Sequence, residues 1–270
     1  MHAKSIAVVM AYNTPRIKAA FDNLVEFLQI NAIEITICHS VSEFSNNSSK
    51  INMAVVVGGD GSILATSKIA ATAEIPIIGV HYGSLGFLTD INPENLDELL
   101  RVIAGKNKSE QRTMLEVEIN QSNKKYLALN EFAINRKDEV HLITYDIYVD
   151  GDLMCKQRAD GVIVHTPTGS TAYALSAGGP ILQPMVNAFG IVPLNPHRLN
   201  TRPIVIRNSQ EIVIKIHGEQ ALIVSCDGER LEYSKIYEIK INSATKSLEL
   251  LHPINYDYFE RLRTKLYWEH

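Results

Sequence analysis

Cysteine is scarce in this sequence. Cys38, Cys155 and Cys226 stand far apart and are odd in number among 270 residues. No CxxC pair occurs, and the nine histidines keep no metal-ligand spacing. These absences argue against a disulfide framework and a structural zinc site, and point to reduced thiols in a cytosolic protein. No apolar stretch approaches the roughly 20 residues of a membrane span. The apolar run in MHAKSIAVVMAYN is too short for a signal peptide and lacks its cleavage pattern. A cytoplasmic location with no membrane partner is therefore expected. Dense Lys/Arg runs are also missing. The net charge is −4, so no nucleic-acid partner is expected. There is no internal repeat and no low-complexity tract.

What remains is ordinary for a soluble globular chain: 46% apolar and 21% charged residues. The length allows one large domain or two modest ones. The first hundred residues alternate strand and helix patterns. Ser5–Met10, Ile35–Cys38, Ala54–Val57 and Ile75–Val80 suit buried strands. Helical spacing links Ile17, Phe21, Leu24 and Leu28, then covers Ser62–Thr72, then runs from Pro93 through Ile103. The polar HSVSEFSNNSSK stretch is expected to be a loop. Alternation of this kind predicts an α/β domain with a Rossmann-like parallel sheet over residues 1–104. Short strands dominate beyond Gly105, among them Met114–Ile119, Tyr126–Ile134, Leu142–Val149, Leu153–Arg158 and Val162–His165. Asp150-Gly151 is a hairpin signal. Residues 105–252, through Leu248–Leu251, are expected to form an all-β domain, a β-sandwich. The tail, 253–270, is expected to be a helix packing back on the α/β domain, with Trp268 as its anchor.

Residues 55–62 read VVVGGDGS. A buried strand ending in glycines presents bare amides beyond its C-terminal edge, where α/β sheets bind ligands and where anions are easily held. A carboxylate there, Asp60, suits two jobs: accepting a proton from an attacking hydroxyl, or holding the metal that accompanies a nucleotide phosphate. A plain Asx turn is the bland alternative. The stretch is neither a Walker A loop nor GxGxxG. Residues 158–180 read RADGVIVHTPTGSTAYALSAGGP. Four hydroxyls, Thr166, Thr168, Ser170 and Thr171, crowd around a helical turn expected at Ala172–Ala177. That is more than a cap needs and suits a sugar or phosphate. His165, Tyr145 and Tyr148 are expected to be structural.

Together these stretches resemble the NAD kinase family, bacterial type, over almost the whole chain. The carriers are GGDGS at Gly58–Ser62, HYGSLGFL at His81–Leu88 and ALNEFAI at Ala128–Ile134. RADG at Arg158–Gly161, TPTGSTAYALSAGGP at Thr166–Pro180, VPLNPHRLNTRPIV at Val192–Val205 and CDGE at Cys226–Glu229 complete the set. The glycine loop alone is shared with diacylglycerol kinases and 6-phosphofructokinases; the long signature is specific.

The resemblance implies a kinase that transfers the γ-phosphoryl of ATP to the 2′-hydroxyl of the adenosine ribose of NAD, giving NADP. It implies Asp60 as general base or proton acceptor, with Gly61 beside it. Asn130 and Glu131 would hold the adenosine end of NAD. Thr171, Ala172, Tyr173, Ala174, Leu175 and Ser176 would line the dinucleotide, and Asp160 would bond its other end. Phe87 could pack against a base. His141, Arg158 and Glu229 match positions near the substrate. A divalent cation, magnesium by analogy, would accompany ATP, with no metal ligand assigned. A homo-oligomer, dimer or tetramer, is also implied. The sequence departs from the family at Ser62, where Thr is frequent, at Ala65, where an Arg is common, and at Glu229, where Gln is frequent. Two rivals remain: another kinase sharing the glycine loop, and a non-catalytic NAD(H)-binding sensor.

Overall fold

The computed structural model describes residues 5–83, 85–137 and 141–268. It comprises two units, Met1–Gln111 with Ser247–His270, and Arg112–Lys246. The first unit carries β1 (Ile6–Met10), α1 (Pro15–Ile30), β2 (Ile35–Cys38), α2 (Val41–Asn47), β3 (Met53–Val57), α3 (Asp60–Ala73), β4 (Ile77–Val80), α4 (Asp97–Ile103) and β5 (Asn107–Arg112). Strands β1 and β3 are IAVVM and MAVVV, buried at every position. Continuous β-branched runs of this kind belong in the middle of a parallel sheet. Strand β1 pairs in parallel with both β2 and β3, and β3 with β4. Helix α1 starts where Thr14 Oγ1 accepts the Ile17 amide at 3.3 Å and Pro15 supplies the fixed φ of a first helical residue. It buries Phe21, Leu24 and Leu28.

Two expectations fail locally. The polar stretch after Cys38 is helical: Ser40 Oγ accepts the Glu43 amide at 3.1 Å and Phe44 is fully buried, so one cap and one apolar anchor suffice. Helix α4 begins at Asp97 and not at Pro93. Asn92 Oδ1 accepts the Glu94 amide at 2.9 Å, an Asx turn that delays the helix.

The second unit carries β6 (Leu115–Ile119), β7 (Lys125–Ala128), β8 (Glu131–Arg136), β9 (Ile143–Val149), β10 (Asp152–Ala159), β11 (Gly161–His165), a 3-10 turn at Thr168–Thr171 and α5 (Tyr173–Ser176). It continues with β12 (Ala188–Leu194), β13 (Ile204–Arg207), β14 (Ile212–Ile216), β15 (Leu222–Cys226), β16 (Glu229–Leu231) and β17 (Glu238–Ser243). They form two six-stranded sheets, β10-β9-β14-β17-β6-β7 and β13-β12-β11-β8-β15-β16. The alternating inward residues of both sheets share one core: Val117, Ile147, Ile214 and Ile239 from one, Phe132, Val162, Phe189 and Val224 from the other. Asp150 and Gly151, at φ 49° and 86°, make a two-residue turn between β9 and β10. The single strand expected at Tyr126–Ile134 is two, β7 and β8, one in each sheet.

The last strand, β18 (Leu248–Pro253), belongs to the first unit, where it lies between β4 and β5 and pairs in parallel with β4. The boundaries expected at 104/105 and 252/253 are thereby corrected to Gln111/Arg112 and Lys246/Ser247. The alternating pattern of β18 marks a strand, but says nothing of which sheet takes it. Helix α6 (Tyr258–Leu266) follows, capped by Asp257, and buries Arg261 and Leu262. Trp268 does not anchor it; its side chain is 58% exposed. No helix among the described residues is long and apolar enough to cross a membrane.

Candidate functional site

In the first unit, β3 runs through Gly58 and Gly59 directly into α3. Gly58 has φ +140°, and a Cβ there would lie 2.1 Å from Ser62 Oγ, so the turn admits only glycine. Gly59 occupies the N-cap position and gives no side-chain cap. The Ser62 amide bonds the Gly59 carbonyl at 2.9 Å, and the Asp60 and Gly61 amides ahead of it are the ones open to water or to an anion. Asp60 is the first residue of the helix, half-buried. Its carboxylate is pinned by two amides from a segment far along the chain. Phe87 N donates to Oδ2 at 2.8 Å and Leu88 N to Oδ1 at 2.9 Å. The carboxylate comes so close to Gly86 that a Cβ there would lie 2.0 Å from Oδ1. An ionised carboxylate offers about four lone-pair sites, so two face elsewhere. Gly61 is exposed beside Asp60. Phe87 is half-buried, with Lys265 Nζ 5.8 Å from its ring centroid.

In the second unit, β8 carries the next group. Asn130 and Glu131 are 8% and 7% exposed. A second aspartate sets their backbone: Asp227 accepts the amides of Leu129, Asn130 and Glu131 at 2.8, 2.7 and 3.1 Å. Asp227 lies in the turn between β15 and β16 at φ +51°. Glu131 Oε2 is buried with no hydrogen-bond partner. Burial, and then the Asp227 charge, push the Glu131 carboxyl up to about 7. Gly169 approaches closely, since a Cβ there would meet the Asn130 carbonyl oxygen at 2.1 Å.

The crowd of hydroxyls turns mostly inward. Thr166 Oγ1 donates to Leu129 O at 2.5 Å and accepts Gly169 N at 3.1 Å. Ser170 Oγ donates to Pro167 O at 2.6 Å and accepts Leu182 N at 2.9 Å. Thr171 Oγ1 donates to Thr168 O at 3.3 Å. They knit the turn together and spend their hydroxyl protons on the backbone. Ala174 is fully buried in a small core with Ala133, Ile163 and Val192. Tyr173 and Ser176 are exposed, Ala172 and Leu175 half-buried. Tyr173 Oη donates to Asn135 Oδ1 at 3.2 Å. At the far end of β8, Arg136 Nε lies 2.7 Å from Asp160 Oδ1, and Asn195 Nδ2 donates to Oδ2 at 2.9 Å. Arg158, His141 and Glu229 are exposed.

Comparison with known proteins settles what these two units are. A model of the ATP-NAD kinase N-terminal domain matches residues 4–107, and one of the ATP-NAD kinase C-terminal domain matches residues 129–252. The chain belongs to the NAD kinase family. An NAD kinase of Cellvibrio japonicus is 36% identical over 290 residues, covering 99% of this chain and 97% of its own. An NAD kinase of Yersinia pestis is 44% identical over 225 residues, covering 81% and 77%. Among solved structures, an NAD kinase from Archaeoglobus fulgidus in complex with ATP has a TM-score of 0.79 at 28% identity, covering 98% of this chain and all of its own. Yeast NADH kinase complexed with NADH has a TM-score of 0.86 at 24% identity, covering 100% and 89%; it shares the fold.

Within this NAD kinase family fold, the structure gathers Asn130 and Glu131 around Asp227, and Asp160 with Arg136 and Asn195. Sequence reasoning missed Asp227, Arg136 and Asn195. The CDGE stretch held the signal for Asp227, because aspartate before glycine tolerates a left-handed turn and frees its carboxylate for nearby amides. His165 is structural as expected: fully buried, with Nδ1 2.8 Å from Thr166 O and burial pulling its pKa down.

Proposed function

We propose that this chain transfers the γ-phosphoryl group of ATP to the 2′-hydroxyl of the adenosine ribose of NAD, with Asp60 as the proton acceptor. The observation that carries this reading is the pinned Asp60 carboxylate at the uncapped start of α3. A ribose hydroxyl is a poor nucleophile at neutral pH, and an aspartate is a weak base. The proton therefore passes to Asp60 late, as the new O–P bond forms. A loose phosphoryl-transfer state asks mainly for alignment and charge stabilisation. Two amide bonds align the carboxylate and leave lone pairs for the proton, while the Asp60 and Gly61 amides suit phosphate oxygens.

On the same reading, Asn130 and Glu131 hold the adenosine end of NAD. The unpartnered Glu131 Oε2 is an acceptor waiting for a donor such as a ribose hydroxyl. Asp160 takes the other end. Glu131 and Arg136 open and close β8, so the two groups belong to opposite ends of that strand. The magnesium ion would arrive with ATP and neutralise phosphate charge. Among the described residues there is no group of three or more His, Cys, Asp or Glu that could cage a metal. Magnesium held mainly by phosphate oxygens and water needs no such cage, and Asp60 is kept here for the proton.

The test is a coupled assay in which NADP made from NAD and ATP feeds a glucose-6-phosphate dehydrogenase. The wild type is expected to form NADP. Asp60→Asn is expected to fold and bind NAD, yet lose about 10²–10⁴-fold in kcat. Undiminished turnover by that variant would overturn the proton-acceptor role. Binding without NADP formation from any phosphoryl donor would favour a sensor.

A further inference from the structure

The peptide segment that pins Asp60 is itself held from behind. Arg261, on α6, is only 8% exposed. Its Nη1 donates to Gly86 O at 2.6 Å and to Thr89 O at 2.7 Å, and its Nη2 bonds the Asp90 carboxylate. The other Asp90 oxygen lies 2.6 Å from His252 Nδ1. His252 is fully buried, stacked on Tyr256 at 3.9 Å, with Nε2 3.4 Å from Glu110 Oε2. Residues 86–90 are therefore gripped on two sides. Their amides at Phe87 and Leu88 go to Asp60; their carbonyls at Gly86 and Thr89 go to Arg261.

The two grips meet in one peptide group. The carbonyl of Gly86 and the N–H of Phe87 belong to the same planar unit. Arg261 donates to its oxygen, and its N–H donates to Asp60 Oδ2. A guanidinium, a rigid amide and a carboxylate thus stand in line. Charge on the oxygen side polarises the amide and strengthens the bond on the nitrogen side. Burying a guanidinium carries a desolvation cost. An apolar side chain would anchor a tail helix without that cost. A planar fork is, however, the group that can address two carbonyls and a carboxylate at once.

We propose that Arg261 is a positioning residue for phosphoryl transfer: through the Gly86–Phe87 peptide it fixes and polarises the hydrogen bond that aims the Asp60 carboxylate. The proposal rests on Asp60 being the proton acceptor. Asp90 and His252 complete the device by holding the guanidinium in plane.

The experiment is a double-mutant cycle with an NMR readout, on the full chain. Arg261→Met is expected to lower kcat about 10–100-fold, as a misplacement of roughly 1 Å does, while KM for NAD changes less than about twofold. In an Asp60→Asn background the same substitution is expected to have almost no further effect, because the two act as one unit. Equal losses in both backgrounds, or a loss confined to KM, would overturn the proposal. If Arg261→Met does not fold, Arg261→Lys decides. Lysine keeps the charge but not the fork, so kcat should fall and the Phe87 amide proton should move upfield. Wild-type kcat with an unmoved Phe87 amide would overturn it. Full activity in Asp60→Asn itself would instead mark the failure of the proton-acceptor reading.

Discussion

Two aspartates, one in each unit, use the same local chemistry for different ends. Asp60 and Asp227 are each followed by glycine, and each takes backbone amides from a segment far along the chain. Asp227 takes three amides and sits in a left-handed turn between two strands. Asp60 takes two and stands at the start of a 14-residue helix with no side-chain cap. Asp227 is a latch that shapes the backbone beneath Asn130 and Glu131. Asp60 is latched by the loop it holds, and keeps acceptor capacity beside free amides. An Asp-Gly pair therefore does not announce chemistry. What the carboxylate has left over, and what lies around it, does.

Replacing each carboxylate by its amide is the strongest way to break the comparison. Asp60→Asn is expected to cost about 10³-fold in kcat with NAD affinity kept. Asp227→Asn is expected to reverse the pattern. Its NH2 group would face backbone donors, so KM for NAD rises and stability falls by about 1–3 kcal/mol. Steady-state kinetics and denaturant melts on both variants check this. A kcat loss of the same size in Asp227→Asn would erase the distinction.

Glu131 sharpens the contrast, because it bears the Asp227 charge at close range. Its carboxyl is raised from 4.5 to about 7, first by burial and then by Asp227. The folded state therefore binds more protons than the unfolded chain between those values. Its contribution is fully present below about pH 4.5 and is lost as pH rises through about 7, at most about 3 kcal/mol. Glu131→Gln is expected to flatten that part of the stability profile, measured by urea melts from pH 4.5 to 8. NAD should also bind more tightly to the wild type as pH rises past about 7, since a ribose hydroxyl donates best to the ionised form. Calorimetry in two buffers should show a proton released on binding; a pH-independent affinity would count against the contact.

How far the sequence revealed this depended on where each partner lies. The β3–GGDG–α3 unit was legible, because an apolar strand, glycines and a helical period meet within Met53–Ala73. The two-layer β unit was legible in outline from alternation and from Asp150-Gly151. The placement of β18 was not, because alternation encodes a buried face but no neighbour. The bonding of the Thr166 and Ser170 hydroxyls was not legible for a related reason: their partners are backbone atoms that every sequence possesses. Asp227 and Arg261 were hidden in the same way. Both act on main-chain groups far along the chain, and no side-chain pattern records that.

Glycine substitutions probe both aspartates without touching them. A Cβ at Gly86 would meet Asp60 Oδ1 at 2.0 Å, and one at Gly169 would meet Asn130 O at 2.1 Å. Gly86→Ala should displace the carboxylate and lower kcat about 10-fold or more. Gly169→Ala pushes on backbone that cannot yield cheaply, so it should act on KM and cost about 1–3 kcal/mol of stability. The two variants should differ in which constant moves. A shared kcat defect would mean that both glycines serve the same group.

The smallest effect is expected at another Asp-Gly pair, Asp150-Gly151. Asp150 also takes a backbone amide, Glu211 N at 2.9 Å, along with Gln210 Nε2 at 2.9 Å. These bonds, that of Gln210 above all, hold its carboxyl below the ordinary range. Yet Asp150 is exposed and only closes the turn between β9 and β10. Asn tolerates the left-handed backbone at φ 49° as Asp does. Asp150→Asn should therefore leave kcat and KM within about twofold of wild type, and lower the melting temperature less than Asp227→Asn does. Activity assays and thermal melts on the three asparagine variants together test the ordering. The motif is common to all three, so a graded outcome would assign the differences to what surrounds each carboxylate.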